Sequence, residues 1–354
     1  MNDFEQYIKQ TEPDKKEKAK LWRTAIGLQQ VDGLKPSAYL IEIAKQNIEG
    51  DISFEEVKNR IDAYYKTQAN KSTDTDDRTE EADKVSARVA EILSEKTFSF
   101  SPIEYINIHK RLFNGIYKFA GKIRDYNITK SEWVLDGETV LYADFNNLKE
   151  TLEYDFEQEK KFNYKGLSKQ QIIEHLAHFT TYLWQIHIFG EGNTRTTAIF
   201  LIKYLRKLGF KEVNNDLFAE NSWYFRNALV RANYESIAKN IHKTNKYLIR
   251  FLANLLLNEN NILKNRELHI HFVTPENSDV KQENDTVNAR IDTVNDTVFS
   301  LIKANPTITA EEIRIKLNIG IATAKRKIKK LKDNGKIERI GSDKTGHWKI
   351  LIKN

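Results

Sequence analysis

Apolar residues recur at helical spacing along most of the chain. Leu21, Ala25 and Leu28 share one helix face, and so do Leu40, Ile43, Ala44 and Ile48. Ser53 followed by Glu56 is a capping box that opens a third helix through Val57, Ile61 and Tyr64. The stretch QANKSTDTDDRTEE, Gln68 to Glu81, interrupts the pattern; it has almost no apolar residues and reads as a flexible linker. Helical spacing resumes at Ser101-Pro102, an N-cap followed by a first-turn proline. Between Thr129 and Ala143 the period changes. Trp133, Val134, Val140 and Tyr142 flank Asp136-Gly137, which predicts a β-hairpin. Further helices are expected from Phe145, Leu167, Asn193 and Ser222, with a second capping box at Ser168 and Gln171.

A second polar stretch, Phe272 to Arg290, leads into a compact last segment. The short repeats DTVN at Asp285 and Asp292, and DTV at Asp296, are too few for a solenoid. A helix through Val298 and Leu301 ends before Asn305-Pro306, and Thr309 with Glu312 caps the next. A third helix buries Ala324, Ile328 and Leu331, and strands over Ile337–Ile340 and Trp348–Ile352 flank GSDKTG. Three helices and a hairpin in this order match a winged helix-turn-helix. The pattern therefore predicts a mainly α chain in three parts: a helical domain over 1–67, a larger helical domain over 82–265, and a winged helix over 291–354.

Composition narrows the setting. A chain of 354 residues exceeds what one core usually fills. The absence of cysteine excludes disulfides and thiolate metal sites. The charged start lacks a signal-peptide core and no apolar run is long enough to cross a bilayer, so a cytoplasmic protein with no membrane partner is expected. Net charge is +6, yet from residue 301 onward Lys and Arg outnumber Asp and Glu by 14 to 5. The basic excess thus belongs to the last segment. Thr323, Lys325, Arg326, Lys327, Lys329 and Lys330 lie off the apolar stripe of its third helix, with Lys344 in the wing. That face suits a DNA groove, though winged helices also meet proteins.

The densest chemistry lies in HIFGEGNTRTTA, His187 to Ala198. It joins an apolar stripe ending at Ile186 to another beginning at Ala198. Gly190 and Gly192 allow a sharp turn and a close approach to a ligand. A helix starting near Asn193 aims its first N–H groups into the loop, where phosphate binds readily. Arg195 can fork onto phosphate oxygens, Glu191 can carry Mg²⁺ between itself and the phosphates, and His187 can act as a base. The set points to phosphoryl or nucleotidyl transfer. His175 and His178 stand three apart on one helix, but no third metal ligand is evident.

This stretch resembles the motif of Fic proteins, whose usual form is H-x-F-x-[D/E]-G-N-G-R-x-x-R. LFNGIYKFAGKIRDYNITK, Leu112 to Lys130, is similar to the segment before the Fic active-site flap, and the Asp136-Gly137 hairpin stands where the flap belongs. The resemblance covers about 82–257. It implies an all-helical core with a small β-hairpin flap and transfer of AMP from ATP, with Mg²⁺ or Mn²⁺, to a hydroxyl of a target protein or of the chain itself. His187 would be the catalytic base and Glu191 the metal ligand. Gly190, Glu191, Gly192, Asn193, Thr194 and Arg195 would bind the nucleotide, and Thr129, Lys130, Ser131, Glu132 and Trp133 would form the target-binding flap. Asn227, Arg231 and Asn233 lie where Fic proteins often meet the nucleotide.

Two positions depart from the motif. Thr194 replaces its third glycine and Ala198 its second arginine, which removes a γ-phosphate contact. TAIGLQQVDGLKPS, Thr24 to Ser37, resembles the inhibitory antitoxin segment that often accompanies Fic domains, of pattern [S/T]-x-x-x-E-[G/N]. Asp32-Gly33 falls on the last two letters with Leu28 at the first; Glu49-Gly50 fits those letters better, but Lys45 then takes the hydroxyl position. Asp32 is the expected inhibitory residue. Three readings follow: an adenylyltransferase, a DNA-binding regulator whose Fic domain senses nucleotide, and a Fic-type phosphotransferase. ATP, a protein substrate, DNA and further copies of the chain are the partners these readings call for.

Overall fold

The computed structural model describes residues 4–10, 12–68, 74–210, 213, 215–272, 295–317, 324–325, 328–329, 331–332, 335–341 and 346–351. They form two compact units, Met1–Ser278 and Asp279–Asn354. The first holds α1 (Glu5–Gln10), α2 (Pro13–Gly27), α3 (Ala38–Glu49), α4 (Phe54–Gln68), α5 (Asp74–Ser94), α6 (Pro102–Phe113), α7 (Leu148–Lys161), α8 (Lys169–Ile186), α9 (Asn193–Lys207), α10 (Asn215–Asn233) and α11 (Lys246–Leu257). The mainly α expectation holds. Among the described residues the only sheet is a two-stranded one in the second unit.

The helices begin where side chains satisfy their first N–H groups. Ser37 caps α3, Ser101 caps α6 and Ser168 with Gln171 makes a reciprocal box on α8. At the centre of the unit lies α9, buried at every position from Asn193 to Leu205. It packs against α5, α6 and α8, and α2 packs against α5 and α10. One hydrophobic cluster runs from Phe4 through Trp22, Ile48 and Ile61 to Phe200 and Leu255. The first 67 residues therefore share a core with the motif helices, within one compact unit.

Two local expectations are corrected. The polar stretch after residue 68 is not all linker, because α5 starts at Asp74 and runs through its second half. Its opening turns are rich in Asp and Glu, which suit a helix N-terminus, and Ala82, Val85 and Val89 then bury one face. At the expected hairpin, Asp136 and Gly137 do reverse the chain with positive φ, and the Glu132 N–H donates to the Glu138 carbonyl at 2.9 Å. No strand ladder forms there among the described residues; Trp133–Leu135 is a 3₁₀ turn instead. Val134 and Leu135 are fully buried, and the Val134 carbonyl accepts from the Ile270 N–H, so core packing takes the groups a ladder would use.

The second unit contains α12 (Asn295–Ala304), α13 (Ala310–Leu317) and antiparallel β1 (Ile337–Ile340) and β2 (His347–Ile350), with Ile337 opposite Ile350. Val298, Ile302, Ile308, Ile313, Ala324, Ile328, Leu331 and Ile337 form its core. Thr309 and Glu312 make the expected capping box, and the Trp348 indole donates to the Ile308 carbonyl at 3.1 Å. Lys325 and Lys329 are helical and exposed; Thr323, Arg326, Lys327, Lys330 and Lys344 lie outside the described residues, as does most of the second polar stretch. No helix among the described residues is long and apolar enough to cross a membrane.

Candidate active site

The end of α8 carries His187 in the left-handed region, φ 49°. A non-glycine residue there needs outside support. Arg124 supplies it: its Nε donates to the His187 carbonyl at 2.7 Å, and its other nitrogens reach the carbonyls of Ile186, Tyr126 and Ala143. One buried guanidinium thus caps α8 and ties the base of the 129–143 segment to it. The His187 ring is itself buried, 4.2 Å from the Tyr142 ring centroid and edge-on to Trp184. Its Nδ1 lies 3.3 Å from the Trp184 carbonyl, which can only accept. The proton therefore sits on Nδ1, and Nε2 is left with its lone pair. Burial, then the Lys130 charge, holds the imidazole well below its ordinary pKa, so it is neutral at neutral pH.

The loop that follows is clasped from inside. Asn193 accepts from the Phe189 N–H at 3.1 Å and donates to the Phe189 carbonyl at 2.7 Å. Phe189 is buried and stacks on His109 at 3.7 Å. The Gly121 N–H donates to His109 Nδ1, so His109 Nε2 carries the hydrogen and donates to the Glu191 carbonyl at 3.0 Å. Gly192, φ 78°, starts α9; a Cβ there would stand 2.3 Å from the Phe113 ring. The tight loop is thus a packing requirement as well as an invitation to a ligand.

Burial depresses His109 to about 4, against an ordinary 6.5. The unfolded chain therefore binds the extra proton between those values. The contribution of His109 to stability is complete above pH 6.5 and is lost, on the order of 3 kcal/mol, as the pH drops towards 4; His187 acts in the same direction, and the raised carboxyls of Glu132 and Asp155 act in the opposite one. Urea denaturation across this window is expected to show a shallower pH slope in His109→Gln than in the parent. Identical slopes would mean that His109 is not a source of the dependence.

Thr194, the first departure from the motif, is buried and accepts from the Trp184 indole N–H at 2.9 Å. A Thr194→Gly variant, which restores the motif's glycine, orphans that buried donor. It is expected to cost about 1–3 kcal/mol of unfolding free energy, measured by denaturant titration; no loss would mean that the indole finds another acceptor. Ala198 is fully buried inside α9.

Glu191 is half-exposed, and both its oxygens lie 2.9 Å from Lys130 Nζ. Arg195 is 1% exposed and its fork is filled. Its Nε lies 2.8 Å from Asp32 Oδ2, NH1 donates to Gln29 at 3.0 Å, and NH2 donates to Glu81 at 2.7 Å and to the Tyr117 hydroxyl at 3.3 Å. The Phe113 ring lies 4.8 Å away. Burial opposes this charge, but Asp32, Tyr117 and Glu81 together outweigh it and raise the Arg195 pKa. Asp32 thus meets the first arginine of the motif, where residue 198 offers none.

A cavity of about 690 Å³ opens beside these groups, lined among others by Asp32, Arg78, Glu81, Glu191, Arg195 and Arg226. That is room for a nucleotide. A smaller recess joins His187, Lys130 and Glu191 to the start of α9. Of the expected flap, Thr129, Ser131 and Trp133 are exposed. Glu132 is not: it is fully buried, 2.6 Å from Arg226, with the Tyr142 hydroxyl also donating to it. Burial raises its pKa against the opposing pull of Arg226. Glu132 therefore braces the site from within and does not face a target.

The other candidates are tied into the fold, except that Arg231 has its buried Nε and NH1 without a hydrogen-bond partner among the described residues. His175 pairs with Glu159 and stacks on Phe162, and His178 meets Asn245. Asn227 bonds Asn265, and Asn233 bonds the Thr181 and Leu229 carbonyls. Arg231 is buried. Among the described residues no three His, Cys, Asp or Glu gather into a metal site. Glu81 and Arg78 carry no pattern that marks them in the sequence, for they stand in the polar stretch. Arg124 and His109 carry no local signal either, since Lys110-Arg111 follows His109 and Lys122 and Asp125 flank Arg124; only the resemblance over Leu112 to Lys130 covers Arg124.

Residues 99–205 match the model of the Fic/DOC family. Two solved structures are similar. One is the N-terminal Fic domain of a Bartonella effector protein (Bep), described as a substrate of the VirB secretion system, from Bartonella sp. AR 15-3; it is 19% identical, with 50% of this chain and 82% of that one covered, at a TM-score of 0.36. The other is a Fic family protein from Desulfovibrio desulfuricans, 13% identical over 94% of this chain and 88% of that one, at a TM-score of 0.39.

Proposed function

Taking residues 99–205 as a Fic/DOC domain, a family that typically carries out AMP or other nucleotidyl transfer, we propose that the protein is an adenylyltransferase that moves AMP from ATP to a protein hydroxyl, its own included. The observation that carries this reading is His187: a neutral imidazole with Nε2 free, held at the foot of a helix-start loop beside a nucleotide-sized cavity. Nε2 takes the proton of the target hydroxyl while the oxygen bonds the α-phosphorus. The bond from that phosphorus to the bridging oxygen breaks, and pyrophosphate leaves. The negative phosphates raise the His187 pKa as they bind, which makes the ring a better base at the moment it is needed.

The first N–H groups of α9 face the developing charge. The side chains of Asn193 and Thr194 are already engaged, so these residues act through their backbone. Arg195 takes the outer phosphates once freed. Glu191 suits Mg²⁺ or Mn²⁺, because it is a half-exposed oxygen donor that already holds a cation with both oxygens, and Mg²⁺ commonly takes one carboxylate plus phosphate oxygens. Such an ion neutralises phosphate charge; Lys130 must first withdraw. Thr129, Ser131 and Trp133 offer the exposed face for a target backbone. The Asp32 carboxylate 2.8 Å from Arg195 Nε supports the further reading that this contact restrains the enzyme at rest. Intact-mass spectrometry after incubation with ATP and Mn²⁺ tests the proposal: a gain of AMP that depends on His187 supports it, and a gain of phosphate alone points to a kinase.

The second unit is proposed to bind DNA, on the strength of the 14 to 5 basic excess after residue 301 and the exposure of Lys325. Duplex binding by the full chain is expected to weaken steeply with added salt; affinity indifferent to salt would count against it.

A further inference from the structure

Residue 32 touches two of the three guanidinium groups in the 690 Å³ cavity, and by different ends. Its carboxylate lies 2.8 Å from Arg195 Nε. Its backbone carbonyl accepts from Arg78 NH2, also at 2.8 Å. The third guanidinium, Arg226, is committed to the buried Glu132. Each arginine therefore starts from a different position when a polyanion arrives. Arg195 must leave two carboxylates and Arg226 a buried one. Arg78 gives up a single neutral carbonyl, and it makes no ion pair among the described residues.

The exchange energies then rank the three. A hydrogen bond to a neutral carbonyl is worth less, net, than one to a charged acceptor. Trading a carbonyl for a phosphate oxygen is favourable, whereas trading one carboxylate for a phosphate roughly breaks even. Arg78 is exposed, on the first turns of α5, and has the freedom to swing into the cavity. Building on the nucleotide reading above, we infer that Arg78 is the cavity's readily available phosphate-binding cation, and that residue 32 holds Arg78 loosely by its carbonyl while its carboxylate restrains Arg195. A ligand with a long phosphate chain takes Arg78 first. Displacement of the Leu28–Asp32 turn then frees Arg195 as well. The site thereby favours a nucleoside triphosphate over a monophosphate.

Calorimetric titration of the full chain with ATP and, separately, with AMP tests this, both without added metal. Arg78→Ala is expected to weaken ATP binding about tenfold and to leave AMP within a factor of two. Arg78→Lys should recover part of the ATP affinity. An equal loss for both nucleotides would make Arg78 merely a brace for the 28–32 turn and would overturn the inference. So would ATP binding that is unchanged in Arg78→Ala. If neither the parent nor an Asp32→Ala chain binds ATP at all, the nucleotide reading itself fails, and this inference with it.

Discussion

An Asp32→Ala chain is expected to modify itself, or a supplied target, at least tenfold faster than the parent. On the proposed reading Arg195 holds the outer phosphates, and its guanidinium is already met by the Asp32 carboxylate at Nε and by Gln29, Glu81 and Tyr117 at its terminal nitrogens. Removing the Asp32 carboxylate deletes one of two ionic partners. The buried charge is not stranded, because Glu81, Gln29 and Tyr117 remain, so the fold should survive. About 1.4 kcal/mol less holding energy corresponds to the tenfold change. Glu81 is the second latch, and an Asp32→Ala, Glu81→Gln chain should be faster still, with a thermal melt confirming that it is folded. Equal rates in parent, single and double variants would show that this cluster is structural and restrains nothing.

His187→Ala should lower transfer by about 10²- to 10⁴-fold, the range set by loss of a positioned base. The substitution removes a ring packed between Tyr142 and Trp184, so some stability is lost too. The separating measurement is ATP affinity, which should stay near that of the parent because Arg195, Glu191 and the start of α9 are untouched. A large fall in affinity that matches the fall in rate would instead make His187 a binding residue.

The elements were largely legible because their signals are local. Capping serines, helical stripes and the glycines of the 187–198 loop act within a few residues of themselves. The site's restraint was legible only in part. Asp32 and the segment holding Gln29 were marked by a resemblance, but Glu81 meets Arg195 across a separation of 114 residues, and nothing in its neighbourhood announces it. The polar stretch after Gln68 misled for a related reason. Acid-rich sequence suits a linker and a helix N-terminus equally, and only the buried face of α5 that follows decides between them. The Asp136-Gly137 turn was correctly placed, yet the residues beside it serve the core before any ladder. Lys130 and Glu132 were expected to face a target. Each found an opposite charge inside the protein first, Lys130 at Glu191 and Glu132 at Arg226.

The central claim is AMP transfer by His187 from a nucleotide whose binding residue 32 restrains. Its most direct measurement uses the Asp32→Ala chain with ATP labelled at the α-phosphate or at the γ-phosphate, in Mg²⁺ or Mn²⁺, with Asp32→Ala, His187→Ala as the control. The account predicts protein-bound label from the α-phosphate only, absent from the control. Label from the γ-phosphate, or α-label that persists without His187, would contradict it.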